Sequence, residues 1–174
     1  MLKSIMKLFL ASLLAFSIHL NLFAQNIKID VTLNPVGSFA AESTALVGKV
    51  IGKLDSKTKK KVLTAENIVV KIDTFKTGIE FRDKHFKEKL EYQKHPELKL
   101  LKAIAAESSG KGSAIVEAKG VKKKISFTFK IDGSSVKFEF DLNVSDFKIE
   151  AISYKGVGVE DKLHISGVLP LERM

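Results

Sequence analysis

The feature that most limits what this chain can fold into is a period of two. Ile27, Ile29, Val31 and Leu33 alternate with Lys28, Asp30 and Thr32. Ile68, Val70 and Ile72 alternate with Val69, Lys71 and Asp73. Ile125, Phe127, Phe129 and Ile131 alternate with Ser126, Thr128 and Lys130. Val136, Phe138, Phe140, Leu142 and Val144 alternate with Lys137, Glu139, Asp141 and Asn143. Leu163, Ile165, Leu169 and Leu171 close the chain in the same manner, and Leu46, Val50 and Leu54 share a phase with Gly48 and Gly52. Such alternation gives each strand one dry face and one wet face. That signature belongs to antiparallel sheets, because a parallel sheet is covered on both sides.

Turn signals separate the runs at Asp55 to Lys61, Ser108 to Ser113, Gly120 to Lys124 and Asp132-Gly133-Ser134-Ser135. The last is an Asp-Gly between two Phe-rich alternating runs, a strong hairpin signal. One segment breaks the period. Ile79, Arg82, Phe86 and Leu90 stand at helical spacing, which predicts a short helix near residues 79–90. Ser145 to Ile149 predicts a second, shorter helical turn. The reading is all-β: about eight antiparallel strands in one domain over residues 25–174. So long and one-sided a sheet must fold onto another sheet or close into a barrel.

What the barrel encloses is the functional question. The chain has twelve Phe, no Trp and no Cys. The absence of Cys excludes disulfides, thiolate metal sites and cysteine nucleophiles. The inward residues are Phe, Ile, Leu and Val, so an enclosed cavity would be apolar. Its wall would be Ile68, Val70, Ile72, Phe127, Phe129, Phe138, Phe140 and Leu142, with Phe81 and Phe86 near the mouth. Alternation serves equally for a filled core of the same residues. Gly48 and Gly52 in the inward phase favour bending or close approach of a ligand.

Residues 1–24 read as a secretory signal peptide. Lys3 and Lys7 make a basic start, Leu8 to Phe16 an apolar run, and Ala24 a small residue before the cut. His19 and Asn21 leave the run short of the ~20 residues a membrane span needs. The expected location is periplasmic or secreted.

Candidate chemistry is sparse. Asp83, His85, His95 and Glu97 are the one cluster of metal-ligand types. Asp83 and His85 are two apart on the expected helix and point in different directions, so no metal site is expected. Arg82 and Asp83 are expected to pin that helix to the barrel mouth as a charged pair. No nucleophile motif, phosphate loop or dinucleotide fingerprint occurs, so no enzyme and no cofactor is expected. The net charge is +9. Its runs Lys57, Lys59, Lys60, Lys61 and Lys122, Lys123, Lys124 fall at hairpin ends, where they suit anionic lipid headgroups. They are not interleaved with exposed aromatics, which argues against nucleic acid.

Three stretches carry a resemblance. The first is Ile72-Asp73-Thr74, then Arg82-Asp83-Lys84-His85-Phe86, then Pro96-Glu97-Leu98-Lys99-Leu100. The second is Lys119 to Ile125, and the third is Gly158 to Ile165. They resemble the YceI-like family of exported polyisoprenoid-binding proteins across roughly residues 44–171. The family's Trp is absent here, and His95 stands where its Tyr is usual. The resemblance implies a lipocalin-like antiparallel β-barrel with a long hydrophobic pocket. It also implies the ligand, an isoprenoid or other long-chain lipid held for carriage or storage. The alternative is a structural or interaction barrel with a filled core and no lipid.

Overall fold

A computed structural model describes residues 25–150, 153–154 and 156–174. The expected signal peptide lies outside the described residues. The strands are β1 (Asn26–Asn34), β2 (Ser38–Ser43), β3 (Val50–Leu54), β4 (Lys61–Lys71), β5 (Glu97–Ala106), β6 (Lys111–Ala118), β7 (Val121–Asp132), β8 (Ser135–Asn143), β9 (Ser153–Tyr154), β10 (Val157–Val159) and β11 (Lys162–Arg173). A helix, α1 (Glu80–Lys89), joins β4 to β5. The second helical segment is a 3₁₀ turn at Val144–Phe147.

β3 to β8 form an antiparallel meander, and β11 returns to pair with β8. The sheet closes when β11 meets β3 in parallel, with Leu171 opposite Val50 and Arg173 opposite Gly52. This is the departure from the all-antiparallel expectation. An Arg173–Glu107 ion pair at 3.0 Å lies beside the seam.

β11 is longer than this closure needs. Its first half, His164 to Val168, pairs instead with β1. β1 carries β2, and bridges at Val47–Val69 and Glu42–Lys76 tie that flap back to β4 and the residues after it. One half of the barrel therefore closes through β3 with seven strands. In the other half β1 and β2 take the place of β3. Barrel width grows with strand number, so the second half is the wider one.

The direction of each strand sorts the turns. The β3–β4, β5–β6 and β7–β8 turns lie at the narrow end. The α1 segment, the β6–β7 turn and the β8–β11 connection lie at the wide end. The β6–β7 turn is Lys119-Gly120, with φ of 50° and 73°. Two positive φ values give the turn whose twist matches antiparallel strands.

β4 and β5 both change face at the same level. Their mutual register is constant across it, with Glu66 facing Lys102 and Ile68 facing Leu100, while β5 shifts by one residue against β6 between Leu100 and Lys102. Asn67 takes a φ of 54° to allow it. The buried phase moves from Leu63 and Ala65 to Ile68 and Val70. Irregularities of this kind re-aim side chains and bend a strand where a barrel needs it.

Candidate functional site

The interior divides where the barrel changes width. In the narrow half, Leu63, Ala65, Ala103, Ala105, Phe129, Val136 and Leu169 are buried and leave only about 40 Å³ free. Two Phe rings reach this level because glycines face them. A Cβ on Gly167 would stand 2.6 Å from Phe138 Cζ and 2.7 Å from the Asn26 carbonyl oxygen. A Cβ on Gly112 would stand 2.8 Å from both Ala105 Cβ and the Ile104 carbonyl oxygen, and would strike the Phe127 ring. Gly48 does admit a close approach, but the neighbour is Ile68, not a ligand.

In the wide half a cavity of about 850 Å³ remains. Its wall includes Ile29, Val31, Phe39, Ile68, Val70, Leu98, Phe138, Phe140, Leu142 and Ile165. Leu100, Phe138, Phe140 and Leu169 border both spaces and form the floor between them. The cavity reaches the surface at Ile79, Phe81 and Val157, which are 51%, 57% and 41% exposed.

Of the ten wall residues read from the sequence, Ile68, Val70, Phe81, Phe86, Phe138, Phe140 and Leu142 border this cavity. Phe127 and Phe129 lie below the floor, around the small space. Ile72 borders neither. It sits in a 3₁₀ turn, fully buried in a second core cluster with Leu90, Val116, Val144, Phe147 and Ile149. The wall also takes residues the sequence reading did not name as wall, from β1 (Ile29, Val31), β2 (Phe39), β5 (Leu98) and β11 (Ile165). The alternation of β1 and β11 was visible; which strands border the wide half was not.

α1 covers one side of the mouth. Glu80 and Asp83 occupy its first turn and Lys87 and Lys89 its last, matching the helix dipole at both ends. The Asp83 carboxylate accepts hydrogen bonds from the Thr77 backbone N–H at 2.7 Å and the Thr77 hydroxyl at 2.6 Å. Burial acts to raise the Asp83 carboxyl; the Thr77 bonds and nearby Lys76 outweigh it and hold it below the ordinary 3.8. Phe86 packs on the buried Phe75, with ring centroids 5.3 Å apart.

Arg82 and Asp83, expected to act as a pair, act separately. Asp83 ties down the loop before α1, while Arg82 turns to the cavity and lays its guanidinium 4.3 Å from the Phe39 ring centroid. His85 also borders the cavity, with Nδ1 3.0 Å from the Phe81 carbonyl oxygen. Glu97 pairs with Lys99 at 3.1 Å, and the His95 ring packs beside Gly120. Among the described residues no three His, Asp or Glu side chains converge on a point.

The two lysine runs lie at opposite ends. Lys57, Lys59 and Lys60 lie in the β3–β4 turn at the narrow end, with Lys61 opening β4. Lys122, Lys123 and Lys124 open β7 at the wide end, where Lys122 pairs with Glu117 and Lys123 with Asp146. A strand of this length separates the ends by roughly 35 Å, so one flat surface meets one run only.

The fold recurs in known structures. BcnA of Burkholderia cenocepacia superposes with a TM-score of 0.56 at 13% identity, over 82% of this chain and 94% of that one. A polyisoprenoid-binding domain from Saccharophagus degradans, implicated in plant cell wall breakdown, superposes at 0.57 with 11% identity, over 83% and 91%. Among curated proteins none matches this chain by sequence. A profile of the YceI-like domain matches residues 22–169, which takes in β1 and β2 as well as the barrel. The chain belongs to the YceI-like family.

Proposed function

We propose that this protein holds an amphipathic, isoprenoid-type lipid in the wide half of its barrel, for carriage or storage outside the cytoplasm. The observation that carries the reading is the apolar cavity of about 850 Å³. Protein interiors leave few voids larger than a water molecule. The narrow half obeys that rule with the same residue types; the wide half departs from it. A filled structural barrel therefore accounts for only half of the interior. The cavity's size is that of small-molecule sites generally. The family, and a Saccharophagus neighbour described as polyisoprenoid-binding, point to the same ligand class. Burial of the chain would contribute about 25 cal/mol per Å², before the cost of ordering it. The reading assigns the protein no catalytic step.

Native mass spectrometry and organic extraction of the purified protein test this directly, beside titration with a fluorescent isoprenoid analogue. A co-purifying long-chain lipid or saturable binding is expected. A clean protein that never binds the analogue would sink the lipid reading. Export is a separate proposal resting on residues 1–24. N-terminal sequencing from the native host should find the mature chain starting near Gln25, and an intact Met1 would overturn it.

A further inference from the structure

A helix laid over an apolar cavity ordinarily presents an apolar stripe. α1 presents Phe81, Arg82, His85, Phe86 and Lys89 to this one, and Arg82, His85, Phe86 and Lys89, at i, i+3, i+4 and i+7, lie on a single face. Three of these four are basic. Lys99 of β5 borders the same cavity, and Glu117 is the acid among its described lining residues. Lys99 and Glu117 are engaged elsewhere, with Glu97 at 3.1 Å and Lys122 at 3.6 Å. Among the described residues Arg82 and Lys89 enter no ion pair. Asp83, the carboxylate next to Arg82, is turned away to Thr77.

A half-buried cation beside apolar walls loses hydration that nothing here returns. The Phe39 ring orients the guanidinium and offsets part of that loss, but leaves its charge in place. The wall below α1 is apolar down to Phe138 and Phe140, so the polar end of an occupant has its natural place under the helix.

We propose that the ligand's polar end is an anion seated beneath α1 against Arg82, with Lys89 beside it, and that these cations select anion-terminated lipids over neutral ones of the same chain. The proposal rests on the lipid reading above. A terminal phosphate and a terminal carboxylate share the chemistry required, because the planar Arg fork meets two oxygens of either.

The test uses full-length protein extracted of bound lipid and two chain-matched pairs: geranylgeranyl phosphate against geranylgeraniol, and palmitate against hexadecanol. Wild type should bind the anion of at least one pair roughly tenfold to a hundredfold more tightly than its alcohol. Arg82→Gln should erase that preference by weakening the anion far more than the alcohol, and Arg82→Lys should keep part of it. Preference within the first pair alone assigns a phosphate, and within the second alone a carboxylate. Equal binding of anion and alcohol by wild type overturns the proposal. So does an Arg82→Gln protein that weakens both alike, which would make Arg82 a packing residue. If Arg82→Gln does not fold, the wild-type preference and its reduction in Lys89→Gln decide. Binding of none of the four ligands would instead be the failure of the lipid reading itself.

Discussion

Phe129 and Phe140 share an inward phase in the sequence yet have different neighbours. Phe129 is 6% exposed and belongs to the packed narrow half. Phe140 is half-buried and borders open space on the floor of the cavity. Phe129→Ala should leave a hole in packed surroundings and cost about 3–5 kcal/mol. Phe140→Ala forfeits mainly its transfer free energy, about 1.5–3 kcal/mol, and should weaken binding of an isoprenoid analogue. Chemical denaturation beside ligand titration separates the two. Equal stability losses would mean that the wide half is packed as tightly as the narrow. Val70→Trp is the converse: it should lower lipid uptake while the fold survives, whereas in a filled core it would overpack. Alternation made every one of these side chains legible as inward. It carried no information on depth along the barrel axis, and depth decides which of them meets a ligand.

α1 was legible as an element because its helical spacing interrupts a long run of period two. Its anchoring was not, since Asp83 was read with its neighbour Arg82 and bonds instead to Thr77, six residues back. The change of face at Asn67 and Leu101 was also hidden. Leu98-Lys99-Leu100-Leu101 breaks the alternation within one strand, and a lone sequence offers no partner strand against which to see the one-residue shift of β5 on β6. Asp83→Asn should loosen the helix and the loop before it, at a cost of about 1–3 kcal/mol. Hydrogen exchange should rise in residues 77–90 and stay unchanged in β7 and β8. The pH dependence has a definite sign. A carboxyl whose folded pKa lies below 3.8 stabilises the fold at neutral pH. That contribution is lost as pH falls through the lowered value. Between roughly pH 5 and 2 the stability difference between wild type and Asp83→Asn should therefore shrink. A gap that persists in acid would assign the helix's anchoring to something other than this carboxylate.

At the scale of the molecule, the barrel and its approximate strand number were legible, but its change of width was not. That change comes from β11 exchanging one partner for another along a single edge, and among the described residues the cavity it leaves reaches the surface at the α1 end. If the protein exchanges lipid with a bilayer, as the proposed function has it, that end should face the membrane. The exposed apolar residues Ile79, Phe81 and Val157 rim it, and Lys122, Lys123 and Lys124 stand nearby. Lys57, Lys59, Lys60 and Lys61 lie at the far end and face away in that orientation. Each lysine near an anionic surface contributes about 1 kcal/mol. Lys122 and Lys123 deliver less, because Glu117 and Asp146 already hold them. Replacing Lys122, Lys123 and Lys124 by Glu should weaken binding to phosphatidylglycerol-containing vesicles by roughly tenfold to a hundredfold. It should also slow transfer of an isoprenoid analogue from those vesicles. The same replacement at Lys57, Lys59, Lys60 and Lys61 should leave transfer near its wild-type rate. Both wild-type binding and the effect of the wide-end replacement should fade as salt is raised, since exposed charges are screened over about 10 Å at 0.1 M. Transfer lost on replacing the narrow-end lysines, with the wide-end variant unaffected, would place the docking surface opposite the mouth and refute this orientation.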